Sequence, residues 1–356
     1  MNNLGKIKNG DKVAILGLSD GILGEDFVAH EIVLLEKRLK EVFCLDFMYM
    51  NNSLRGAEYL KNPEARAEDL KQAFLDDTVK IIWTTIGGDD TFRTLPYLMT
   101  DDFQEIVKNN PKIFIGMSDT TNNHLMLYKM GLKTFYGPSL LADIAELGPE
   151  IFPFTVKWLK YLFNGDSNIT VESSPVWYRS RKSFGKDQLG VSREEMDEEH
   201  GHEYLYGRGE VSGRLLGGCL DSLYESLVGG RYDDQSDIFA EYNIFPDADE
   251  WKGKILFIET SEEHPSPSRY QSMLDILGDK GVLQSVKAII VGKPQDEVYY
   301  DDYKNILMGI AEEYNLPVVY NLNFGHTTPR MVIPYGGLMN IDFDNHKIVL
   351  PDGVLG

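Results

Sequence analysis

Cysteine is almost missing from this chain: Cys44 and Cys219 are the only two in 356 residues. They lie far apart and outside any Cys-x-x-Cys or Cys/His ligand spacing, which argues against a disulfide framework and a structural zinc site. A reducing, cytoplasmic setting is the expected one. Positive charge is also scarce, with 35 Lys and Arg against 56 Asp and Glu and a formal net charge of −21. The field of such a chain repels phosphate backbones and anionic lipid, so neither a nucleic acid polymer nor a membrane surface is an expected partner. Long apolar runs are missing too. Ala288–Gly292 and Ile113–Gly116 are short and bounded by charge, well under the ~18–20 residues of a spanning helix. Met1 to Asp20 holds scattered Lys but no cationic stretch leading into a long apolar run, so no secretion signal is expected. No period of 20–50 residues recurs, which argues against a solenoid.

What remains is ordinary globular material, 42% hydrophobic and 26% charged, long enough for two domains. From Lys12 to about Leu140, short β-branched or apolar runs alternate with amphipathic stretches. Val13–Leu18, Lys80–Thr85, Lys112–Gly116 and Thr134–Tyr136 read as strands. Phe27–Glu41, Pro63–Asp76, Phe103–Val107 and Asn122–Met130 read as helices. Strands joined by crossover helices predict an α/β fold with a parallel sheet, whose ligands collect at the carboxyl ends of the strands. A helix near Phe154–Phe163 closes an N-terminal domain, residues 1–165. Residues 166–209 read as a linker or cover loop, charge-dense, glycine-punctuated and carrying Trp177, Tyr178, Phe184, Tyr204 and Tyr206. Periodic runs resume in a second α/β domain, residues 210–356.

The loops after strands hold the chemistry. Ser118 stands between Gly116 and Thr120 where a strand gives way to a helix, and the N–H of Asp119 lies at that helix start, aimed at any developing oxyanion. A helix cap is the plain alternative for Ser118. Gly87 and Gly88 follow another apolar strand and allow close backbone approach. They form neither a GxGxxG nor a P-loop, and Asp89 and Asp90 would repel a pyrophosphate. A plain turn is the alternative there. Glu259 ends the apolar run from Lys254, either as an active-site acid or as a surface carboxylate. His30, His200, His202 and His346 sit in polar or charge-rich surroundings, leaving His124, His264 and His326 as candidate bases. His124 falls nearly two helical turns beyond Ser118, too far for easy contact, and His326 follows Gly325 in a loop. Ser118, Glu259 and His326 then supply nucleophile, orienting carboxylate and base.

These landmarks, with Pro63-Glu-Ala-Arg-Ala-Glu-Asp-Leu70, Ile86-Gly-Gly88, Gly116-Met-Ser-Asp-Thr120, Tyr136-Gly-Pro138, Gly213-Arg-Leu-Leu-Gly-Gly-Cys-Leu220 and Gly325-His326 with Pro334, resemble the LD-carboxypeptidase family of serine peptidases, which also holds the microcin C self-immunity proteins. The resemblance implies a Ser118-Glu259-His326 triad and an oxyanion hole from the N–H groups of Gly88 and Asp119. It also implies a flavodoxin-like N-terminal domain similar to class I glutamine amidotransferases, a swivelling C-terminal domain, no metal or cofactor, and a homodimer. Murein-recycling members usually have Arg before the Gly-Gly pair and Tyr-Gly after it, whereas here stand Ile86 and Asp89-Asp90. With the longer Trp177–Tyr206 segment, this brings the chain closer to the immunity branch and implies a small peptide-like or peptidyl-nucleotide substrate. On that reading Gly87 and Trp177 contact the substrate, Trp177 by stacking on a purine. The family's more common Gly-Gly-Asn is Gly217-Gly-Cys219 here. A murein tetrapeptide L,D-carboxypeptidase and a non-catalytic peptide- or nucleotide-binding module are the alternatives.

Overall fold

Residues 4–356 are described by a computed structural model. The first sheet grows from the apolar runs. β1 (Lys12–Leu16), β2 (Asp46–Tyr49), β3 (Val79–Thr84), β4 (Ile113–Gly116) and β5 (Thr134–Tyr136) lie in the spatial order 2-1-3-4-5, all parallel. Helices Ala29–Glu41, Pro63–Leu75, Asp101–Asn109 and Thr121–Lys129 make the crossovers. Their starts are written locally. Asn62 accepts from the N–H groups of Glu64 and Ala65, with Pro63 in the first turn, and the Thr100 hydroxyl accepts from Phe103 N–H. Each satisfies donors that the first turn leaves unpaired. β3 and β4 are almost wholly buried, which is why they read as continuous apolar runs. The strand order is that of flavodoxin-like sheets, and its reversal between β1 and β3 opens a crevice beyond their carboxyl ends. The loops after β1, β3 and β4 meet there.

The second sheet has eight strands. Its centre is parallel, Glu210–Cys219, Lys254–Glu259, Ala288–Gly292 and Val318–Leu322 in that order. Leu338–Asp342, Lys347–Leu350 and Ile169–Thr170 extend one side in antiparallel fashion, and Glu203–Tyr206 closes the other. The reading of 166–209 as linker therefore needs correction. Ile169–Thr170 and Glu203–Tyr206 are edge strands of this sheet, and Val176–Tyr178 pairs with Glu195–Asp197 in a separate ribbon. Strands of two to four residues are too short to show a period.

One strand crosses over. Ile333–Tyr335, late in the chain, pairs antiparallel with β5, Ile333 opposite Tyr136, and becomes the sixth strand of the first sheet. Pro334 sits in it because an edge position asks for no ladder N–H on its outer side. Among the described residues no helix is long and apolar enough to cross a membrane.

Candidate active site

Four chain turns build the site. At the end of β4, Ser118 opens a single 3-10 turn, Ser118–Thr120, that leads into helix Thr121–Lys129. Its φ is +61°, the left-handed region that a residue with a Cβ occupies only under strain. A Cβ on Gly116 would lie 2.6 Å from both Thr84 Oγ1 and Thr120 Cγ2, so the strand can turn this sharply only with glycine there. The Asp119 carboxylate faces inward, accepting from Thr91 N–H at 2.8 Å and Asn122 Nδ2 at 2.7 Å. Burial, against the hydrogen bond from Thr91, pushes its pKa up to about 6.

The Gly-Gly loop after β3 packs onto this turn. A Cβ on Gly87 would fall 2.8 Å from Ser118 Cβ, and one on Gly88, whose φ is +142°, would fall 2.3 Å from Ser19 Oγ. Ser19 Oγ accepts from the N–H groups of Asp89 and Asp90, both at 3.0 Å. The Asp90 carboxylate is clamped by the fully buried Arg66 guanidinium. Among the described residues neither Gly88 N–H nor Asp119 N–H has an intramolecular acceptor, and both residues border a cavity with Ser118.

Glu259 and His326 come from the second sheet. Glu259 ends its strand 1% exposed, beside Cys219 on the neighbouring strand. Gly325, with φ +86°, lets the next loop close on it, since a Cβ there would lie 2.4 Å from Glu259 Oε2. His326 then places Nδ1 at 2.7 Å and its own N–H at 3.1 Å from Glu259 Oε2, and Nε2 at 3.1 Å from Ser118 Oγ. The structure thus brings together the three residues singled out in the sequence, in the geometry of a proton relay. His124 is elsewhere: fully buried, it bonds Thr134 Oγ1 at 2.7 Å and Gly116 O at 2.9 Å, and burial lowers its pKa to about 4. It is a neutral clasp between β4 and β5.

Two groups at the site escaped sequence reasoning. Tyr136 OH accepts from Ser118 N–H at 2.9 Å and donates to Glu259 Oε1 at 2.5 Å. Glu262 Oε2 lies 2.9 Å from His326 Nε2, the nitrogen that also faces Ser118. Burial opposes charge on His326, but Glu259 and then Glu262 outweigh it and hold the imidazolium well above the usual imidazole range. The only sequence signals were the Tyr136-Gly-Pro138 landmark and a second carboxylate three residues after Glu259. Cys219 Sγ, Glu259 and His326 present ligand atoms within 4.8 Å of one another. They suit a metal poorly, because burial and then Glu259 push the thiol pKa well up, and a metal takes the thiolate.

Ser118, Gly88 and Glu262 line two adjoining cavities. One, of about 310 Å³, is rich in carboxylates, among them Asp89, Asp221 and Glu225, with Arg231 and Arg269. The other, of about 420 Å³, carries Ile86, Met117, Phe184, Arg193 and Arg330. Gly87 borders this second cavity. Trp177, expected to stack on a ligand, is 3% exposed, with Lys293 Nζ 5.1 Å and the Arg179 guanidinium 5.6 Å from its ring centre. The protein's own cations occupy the indole. The exposed aromatic of that segment at the cavity is Phe184, at 51%.

With this geometry in place, comparison with known proteins is informative. The model of the LD-carboxypeptidase N-terminal domain matches residues 13–137, and that of the C-terminal domain matches residues 212–341. The microcin C7 self-immunity protein MccF of Escherichia coli is 30% identical over 82% of this chain and 79% of its own length. The probable murein peptide carboxypeptidase of Bacillus subtilis is 28% identical over 82% of this chain and 77% of its own. A solved MccF-like protein from Streptococcus pneumoniae, in complex with AMP, is 44% identical, covers 96% of this chain and 98% of that one, and superposes with a TM-score of 0.91. Two domain models matched in order and a shared fold along nearly the whole length lead to one conclusion: this chain belongs to the LD-carboxypeptidase family.

Proposed function

We propose that the protein is a serine amidase of carboxypeptidase type that hydrolyses an acylated aminoacyl nucleotide. The observation that carries the reading is the unbroken chain Ser118 Oγ, His326, Glu259, with distances of 3.1 and 2.7 Å, opening on a cavity with an exposed Phe184 ring and two arginines. His326 takes the Ser118 proton as Oγ attacks the carbonyl, Glu259 steadies the imidazolium, and the N–H groups of Gly88 and Asp119 receive the oxyanion. His326 then gives the proton to the leaving nitrogen, and water resolves the acyl-enzyme by the same route reversed. Phe184 offers a face to a purine, while Arg193 and Arg330 are held by the carboxylates of Glu146 and Asp143 and shape the cavity wall. AMP bound to the Streptococcus pneumoniae relative and the self-immunity role in the name of the Escherichia coli relative support this substrate class.

Product analysis by mass spectrometry tests it, using aspartyl-sulfamoyl adenosine and a murein L,D-tetrapeptide with wild type and Ser118→Ala. Release of aspartate by wild type alone is expected. Loss of D-Ala in its place would make the protein a murein peptide carboxypeptidase, the activity in the name of the Bacillus subtilis relative.

Glu262 adds a pH prediction. Its carboxylate favours the protonated imidazole, which cannot accept the Ser118 proton. In Glu262→Gln the His326 pKa falls and the neutral base persists to lower pH. The acid limb of kcat/KM should move down by about one pH unit, a modest shift because the Glu262 side chain is 62% exposed and water screens it. A pH–rate profile of the two proteins checks this.

A further inference from the structure

Tyr136 closes the hydrogen-bond chain into a ring. Ser118 Oγ faces His326, His326 bonds Glu259 Oε2, Tyr136 donates to Glu259 Oε1, and Ser118 N–H donates back to the same phenol oxygen. The nucleophile is thus held at both ends, its hydroxyl by the base and its amide by a group fixed to the acid. The phenol has one proton and spends it on Glu259. Burial, and then the Glu259 charge, push its pKa well up, so it remains a donor at every working pH. The ring is fully buried and rests on His124 and Phe257, with centroids 5.5 and 5.4 Å away, so the hydroxyl has little freedom to turn elsewhere.

Accepting on Glu259 from Tyr136 OH, His326 N–H and Nδ1–H fixes that carboxylate at three points. Engaging Ser118 N–H removes it from the oxyanion donors and pins the peptide that carries the strained φ of +61°. A hydroxyl lost at Tyr136 would therefore both release the elbow and concentrate charge on the Glu259 oxygen that faces the imidazole.

We infer that Tyr136 is a positioning residue for the reaction, one that sets the Ser118 elbow and tunes the basicity of His326 through Glu259. This rests on the reading of Ser118 as nucleophile. The other groups around the pair are Glu262 and Asp221, both carboxylates, the Cys219 thiol, and Arg330, whose Nη2 donates to His326 O at 3.3 Å. None of these changes in Tyr136→Phe, so a shift in the titration belongs to the phenol.

The experiment measures the rate of Ser118 phosphonylation by a fluorophosphonate across pH, in wild type and Tyr136→Phe, with melting curves for both. Tyr136→Phe should react about ten- to a hundredfold more slowly at neutral pH, the loss of one hydrogen bond to a charged group. Its acid limb should move up by about half to one unit, because Glu259 loses a donor and favours the imidazolium more strongly. Site-specific 3-fluorotyrosine at position 136, a stronger donor on the same ring, should move the limb the other way, and it replaces Tyr136→Phe if that variant does not fold. Wild-type rate and limb in the variant overturn the inference, as does a slower rate with an unmoved limb, which packing alone would give. A wild type that never reacts at Ser118 overturns the nucleophile assignment and this inference with it.

Discussion

Ser118→Ala should abolish turnover while leaving a protein that melts close to wild type. Among the described residues the hydroxyl has one hydrogen-bond partner, His326 Nε2 at 3.1 Å, and it lines two cavities, so removing it opens no void in the core. The strained backbone stays, because alanine pays the same penalty at a φ of +61° as serine does. On the proposed mechanism, what disappears is the atom that forms the acyl-enzyme. Loss of a triad nucleophile lowers kcat by about 10⁶-fold where the effect has been dissected, with a residue of catalysis from the oxyanion donors. Single-turnover product analysis beside a thermal melt separates this outcome from misfolding. Turnover at the wild-type level would mean that Ser118 only caps its helix.

Glu259→Gln should be nearly as severe and for a different reason. Glu259 accepts three hydrogen bonds, from Tyr136 OH, His326 N–H and His326 Nδ1–H, and offers no proton of its own. Glutamine has one carbonyl oxygen and an NH₂ group, so whichever way it turns, its donors confront at least one of those donors. The favoured escape is for His326 to carry its proton on Nε2 and accept from the amide through Nδ1. That tautomer cannot take a proton from Ser118. A fall in kcat of about 10⁴-fold is expected, the size seen when a triad acid becomes its amide. Burial at 1% exposure also makes the mismatch a stability cost of about 1–3 kcal/mol, so the melting temperature should drop here and not in Ser118→Ala. A rate within tenfold of wild type would remove Glu259 from the mechanism.

Much of this site could be read without coordinates because its parts stand at the ends of apolar strands. β4, the Lys254–Glu259 strand and the Gly-Gly loop after β3 announce themselves by a run of buried residues followed by an abrupt polar or glycine position. What could not be read lies in contacts between distant segments. Tyr136 looks like an ordinary strand residue until Glu259 is brought to its hydroxyl, across 123 positions of chain. Glu262 looks like one acid among many in a chain with 56 of them. The Ile333–Tyr335 strand is hidden by its proline, and Glu203–Tyr206 by a charge-dense neighbourhood that resembled a connector. The contacts of Trp177 were equally hidden, because an aromatic in such a segment suits both a ligand and the cations of its own protein, here Lys293 and Arg179.

The strand Ile333–Tyr335 has a consequence for how the His326 loop is held. The segment that completes the first sheet beside β5 follows His326 by a few residues, so the loop that carries His326 is tied to the second sheet by Val318–Leu322 before it and to the first by Ile333–Tyr335 after it. Without that pairing β5 would be an open edge, and the His326 loop would be held from one side only. The spacing between Ser118 and His326 is therefore set by backbone pairing on both sides of the imidazole, and not by the side chains alone.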